Sequence, residues 1–178
     1  MRIRYSVAAG AAMVIAVAGV ASAAPGDTTV TFSVSGGALS VSVPTSAGLG
    51  SALPGNSVSG QLGNVTVTDS RALLSAAWTA SVVSTSFTTG AGTPAETIPA
   101  SAVSYWSGTA TATTGTGTFT PGQATAGQAQ TLGTSRTAYT LSAGVGNNSA
   151  TWNPTLVVAI PAGAVNGTYT GTVTHSVA

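Results

Sequence analysis

The sequence predicts an all-β fold, an antiparallel Ig-like β-sandwich, with a closed β-barrel as the alternative that periodicity alone does not separate. Three observations lead there. Apolar residues alternate with serine and threonine at a period of two, turn formers punctuate the runs, and no segment after the first two dozen residues keeps a helical period.

Taken in order, Val30, Phe32 and Val34 alternate with Thr and Ser and read as a first strand. Leu39, Val41 and Val43 read as a second, and Val65 with Val67 as a third. Near the end, Tyr169, Val173 and Val177 share one face of a strand while Thr168, Thr170, Thr172, Thr174 and Ser176 share the other. Threonine suits such an outer face because it is β-branched and pairs across strands. Gly36-Gly37, Pro54-Gly55-Asn56, Gly63-Asn64, Gly146-Asn147-Asn148, Pro161 and Asn166-Gly167 supply the turns. The stretch Thr109 to Gly133, rich in Thr, Gly, Ala and Gln, reads as a long mobile surface connection with a weak edge strand near Thr109–Thr113.

Before the strands, Arg2 and Arg4 precede an apolar run from Val7 to Val20, and Ala21-Ser22-Ala23 follows. The run is shorter than the roughly 20 apolar residues of a membrane span. Its basic start and small-residue end predict a signal peptide over 1–23 and a secreted, extracellular single domain over 24–178. No integral membrane segment is expected once the signal is removed. Such a length buries a core without disulfides, and the chain has no cysteine.

Charge excludes much of the remaining chemistry. Beyond the leader stand Arg71 and Arg136 against Asp27, Asp69 and Glu96, so two minus three gives a formal charge of −1 with His175 neutral. Two separated arginines and no lysine form no phosphate-binding stripe, so no nucleic-acid partner is expected. One histidine without cysteine makes no metal constellation, and no Gly-x-Ser-x-Gly elbow occurs. A non-catalytic protein without cofactor or metal is the expectation.

Two segments in order carry a resemblance. Val65-Thr66-Val67-Thr68-Asp69-Ser70-Arg71 leads to Trp78-Thr79-Ala80; later, Leu156 to Pro161 is followed by Gly167-Thr168-Tyr169 and by Thr172 to Val177. This order resembles the WxL-domain surface proteins of Gram-positive bacteria. Ala80 stands where that family has the leucine, and His175-Ser176-Val177 replaces its second Trp-x-Leu. The resemblance implies noncovalent attachment to cell-wall peptidoglycan or association with another surface protein. A structural, self-associating extracellular subunit is the alternative, since hydroxyl-rich faces and open sheet edges favour assembly.

The side chains worth weighing are few. Trp78 and Trp152 continue the parity of apolar strand residues and are expected in the core. Trp106 and its neighbour Tyr105 must point to opposite faces, so one of the two is a candidate ligand-binding ring. Asp69 and Arg71 continue the inward parity of Val65 and Val67 and are expected to pair, or Asp69 to accept backbone N–H bonds. Tyr169 and His175 are expected to pack, the histidine as a hydrogen-bonded neutral ring.

Overall fold

The computed structural model describes Gly26 and residues 28–178; the expected signal peptide lies outside the described residues. Residues 28–33 belong to one unit and carry no strand, and Val34–Ala178 form a second. The first expected strand is therefore not made: Val30, Phe32 and Val34 are each at least 80% exposed. Alternation predicts a half-buried strand only where a partner strand exists, and none pairs with this stretch among the described residues.

The second unit is all-β and antiparallel, without a closed barrel. One sheet contains, in spatial order, β1 (Leu39–Ser42), β3 (Val65–Asp69), β12 (Asn148–Trp152) and β8 (Ala110–Thr114). A second contains β10 (Gln130–Thr131), β7 (Val103–Trp106), β13 (Thr155–Ala159) and β2 (Ser57–Gln61). A third contains β14 (Val173–Val177), β4 (Ala76–Ser84), β11 (Arg136–Gly144) and β9 (Thr118–Pro121). A short ladder joins β5 (Phe87–Thr88) to β6 (Thr97–Ile98).

The first two sheets are one long sheet bent across its middle. β2 runs into β3, β7 into β8 and β12 into β13 through links of two or three residues, and the lateral order is the same on both sides of the bend. Each link has a reason to break the ladder. Gly63 and Gly108 take φ of +92° and +70°, which a side chain would resist. Pro154 lacks the N–H that a continuous strand would need. The bend is pinned by Leu62 N–H donating to Pro154 O at 2.9 Å and by Gly63 N–H donating to Asn153 Oδ1 at 3.2 Å. The third sheet packs on this bent one, with β1 next to β14 at one side and β8 next to β9 at the other.

Burial follows the period of two. In β4, Ala76, Trp78, Ala80 and Val82 point inward, and the alanines flanking Trp78 leave room for its ring. β3 buries Val65, Val67 and Asp69. β11 departs from alternation, burying both Ala138 and Tyr139, because a bulge inserts Ala138 where Thr137 and Tyr139 face the adjacent residues Ser81 and Ala80.

In the region 109–133 the edge strand expected near Thr109–Thr113 is present as β8, and the rest corrects the expectation of a loose connection. The region holds β8, β9 and β10, and its Leu132 is fully buried. Leu132 bridges two sheets, its N–H donating to Val103 O at 2.8 Å and its carbonyl accepting from Ser84 N–H at 3.2 Å. A clasp adds to this: Ser107 Oγ and Gly108 N–H both donate to Gln123 O, at 2.9 and 3.0 Å, while Gln123 Nε2 donates to Thr137 O at 2.9 Å. These strands carry Thr on their exposed faces and almost no large apolar residue, so hydropathy does not mark them. Two smaller corrections follow. The last strand starts at Val173, leaving Tyr169 in an irregular segment, and Asn148, expected in a turn, is the buried first residue of β12.

Candidate functional site

Three places concentrate polar or aromatic chemistry: a closed corner around Asp69, a cleft ending at His175, and the outer face of the sheet that carries Trp106.

At the corner, Asp69 is fully buried and all its acceptor capacity is used. Oδ1 accepts from Arg71 N–H at 3.0 Å and from Arg71 Nε at 2.9 Å; Oδ2 accepts from Arg71 Nη2 at 2.9 Å and from Asn148 Nδ2 at 3.4 Å. The Arg71 hydrogen bonds hold the Asp69 carboxyl below the ordinary carboxylate range against the opposing effect of burial. Trp78 Nε1 donates to Asn148 Oδ1 at 2.8 Å. An indole N–H only donates and a carboxylate only accepts, so Asn148 between them has one orientation. Arg71 and Trp78 thus meet through Asp69 and Asn148. The arrangement ties β3, β4 and β12 together, and Arg71 Nη2 also donates to Ala77 O at 2.9 Å.

At the other end of β3 lies an irregular cleft. Its inner part, about 200 Å³, is bounded by Pro44, Leu49, Val65, Phe87, Leu156 and His175. Its outer part, about 910 Å³, runs between the 45–54 and 165–172 segments over Val58, Phe87, Ile98, Val158 and Ile160. Among the described residues no charged side chain lines either part.

His175 is half-buried opposite Val82 in the ladder. Tyr105, fully buried, brings its hydroxyl to 3.2 Å from His175 Nε2. Trp152 Nε1 donates to the same hydroxyl at 3.1 Å, and the Trp152 ring stacks on Tyr139 at 4.9 Å. Because Trp152 occupies the Tyr105 oxygen as a donor, the tyrosine proton is free for Nε2, which places the imidazole proton on Nδ1. Burial holds the His175 pKa down to about 4 and raises that of Tyr105. His175 is therefore a neutral acceptor at neutral pH, and no serine or carboxylate hydrogen-bonds to it among the described residues. Nor do three metal-binding side chains cluster among them.

Tyr105 is thus corrected as a candidate for ligand contact: its ring lies in the core, on the same face as Val103. Trp106, on the opposite face, is half-exposed. Register places it in a row with Thr155 and Gln61, next to a row of Ser104, Val157 and Ser59. Residues directly opposite in an antiparallel ladder share a face, so these six form one uncharged surface. Asn153 Nδ2 donates to Gln61 Oε1 at 3.0 Å and fixes one edge of it. Tyr169 is half-buried away from this surface, its hydroxyl within 3.1 Å of Ala95 O and 2.9 Å of Val165 O.

Sequence reasoning missed Asn148 and Tyr139. Asn148 sits in a Gly-Asn-Asn run that reads as a turn, and nothing local marks it as buried. The inward direction of Tyr105 was available from its parity with Val103.

No protein-family model matches the chain, and neither the curated proteins nor the solved structures give a match.

Proposed function

We propose that this is a secreted, non-catalytic cell-surface domain that holds a neutral cell-wall glycan noncovalently, on the face carrying Trp106. The observation that supports this most is the make-up of that face: one half-exposed indole among Ser59, Gln61, Ser104 and Thr155, with no charge. A sugar ring presents C–H groups to an aromatic face and hydroxyls around its rim, so an indole bordered by hydroxyls and an amide matches it. Without charge on the face, the contact gains no long-range steering and is insensitive to salt. The resemblance to WxL domains makes Gram-positive peptidoglycan the expected glycan, and a partner surface protein bearing similar chemistry is the second ligand class that fits.

The test is co-sedimentation of the mature chain with isolated peptidoglycan sacculi at low and high salt. Binding that is unchanged by salt and lost in Trp106→Ala, with thermal unfolding unaltered, is the expected result. A folded chain that stays in the supernatant refutes the glycan reading and leaves a protein partner.

A further inference from the structure

The unpaired segment before the sandwich and the cleft at the start of β3 fit each other chemically. Residues 28–35, Thr-Thr-Val-Thr-Phe-Ser-Val-Ser, have strong strand-forming composition and alternate apolar with hydroxyl side chains. Yet they belong to no sheet, and Val30, Phe32 and Val34 stand at 80%, 86% and 80% exposure. Stretched as a strand, the three apolar side chains would line one face over about 13–14 Å.

The cleft has the complementary defect. From Val43 to Ala52 the chain makes no backbone hydrogen bond to protein among the described residues, although it lies over the apolar floor of a sandwich. Apart from Leu49 that segment is exposed, so its backbone groups are open to water and to an added strand. Among the described residues β2 beside it pairs only with β13, and β14 only with β4, so both strands present an open edge there. Open edges accept extended segments, with main-chain hydrogen bonds for affinity and alternate side chains in pockets for register. The floor of Val58, Ile98, Val158 and Ile160 is apolar, and neither the floor nor residues 28–35 carry a charge.

We infer that residues 28–35 of one copy dock as an added strand in the cleft of a second copy, seating Val30, Phe32 and Val34 on its apolar floor. Arm and cleft are different surfaces, so the contact is head-to-tail and propagates from copy to copy. It uses the Val58 side of β2, the strand whose Ser59 and Gln61 face the other way beside Trp106, and needs no glycan.

The experiment is light scattering on the mature chain over a wide concentration range, without sacculi. The mass is expected to climb past the monomer as concentration rises, and to return to the monomer with an excess of a synthetic 28–35 peptide. Two variants separate the partners. Phe32→Asp charges the arm and leaves the core untouched, since every core residue lies at position 39 or later. Gly48→Trp puts a bulky ring in the lining of the cleft, at a position where a Cβ meets nothing within 4 Å. Both are expected to stay monomeric with unchanged circular dichroism. A wild-type chain that is monomeric at every concentration overturns the inference, and so does association that persists in either folded variant.

Discussion

Strand β3 begins at a cleft and ends at a closed corner, and the two ends of this one strand are built on different principles. At the corner, Asp69, Arg71, Asn148 and Trp78 satisfy one another inside the protein. At the cleft, the covering segment 43–52 makes no backbone hydrogen bond to protein among the described residues, and a line of polar contacts runs from Trp152 through Tyr105 to His175. A complete polar network fixes a unique geometry, whereas an incomplete edge leaves room for something else. The corner holds the sandwich together; the cleft is where the sandwich is unfinished.

The hardest blow to this contrast is Trp152→Ala. It removes a fully buried ring, the stack on Tyr139 and the donor to Tyr105, and should cost about 3–5 kcal/mol in urea unfolding. Next comes Asp69→Ala at the corner. It leaves the Asn148 amide without its carboxylate partner and should cost about 1–3 kcal/mol, read as a lowered unfolding midpoint at pH 7. An unchanged midpoint would mean the corner is dispensable.

Acid should separate the two ends. His175 is held neutral in the folded state, with its pKa lowered from 6.5 to about 4, so between these values the unfolded chain binds more protons. Its contribution to stability is thus complete above pH 6.5 and is lost as pH falls towards about 4. Asp69, also lowered, contributes above its ordinary 3.8, and that contribution is lost only at still lower pH. Melting temperature should therefore decline in two windows, and His175→Gln should flatten the upper one while leaving the lower. A single transition untouched by His175→Gln would deny the cleft end its distinct chemistry. The smallest effect is expected at Leu53, 73% exposed on the loop over the cleft: Leu53→Ser should stay within about 0.5 kcal/mol of wild type.

The same contrast explains what could be read in advance. The corner was legible because its parity is unbroken: Val65, Val67 and Asp69 point one way, and a buried carboxylate next to an arginine leaves little choice but to pair. Its completion by Asn148 was not legible, since that residue comes from about 80 positions away and a Gly-Asn-Asn run looks like a turn. Within 109–133 the edge strand expected near Thr109–Thr113 is β8, whereas β9 and β10 were not legible, because the anchors there are Leu132, a clasp of main-chain bonds and the glutamine side chain of Gln123, none of which shows in hydropathy. Val30, Phe32 and Val34 failed in the opposite sense. Their alternation was read as the mark of a strand that is not made, because periodicity says nothing about whether a partner is present. Tyr105 and Trp106 show the same limit at single-residue scale, for adjacent rings on a strand face apart and only the sheet decides which one meets water.

The proposed glycan face can be tested through its own chromophore. Trp78 and Trp152 are buried at 2% and 0% exposure, so acrylamide-quenchable fluorescence comes from Trp106. Titrating the mature chain with soluble, uncrosslinked peptidoglycan strands should protect that emission from acrylamide and shift it to the blue, equally at low and high salt. Binding by sedimentation with the Trp106 emission still fully quenchable would contradict the account, because the ligand would then sit on another face.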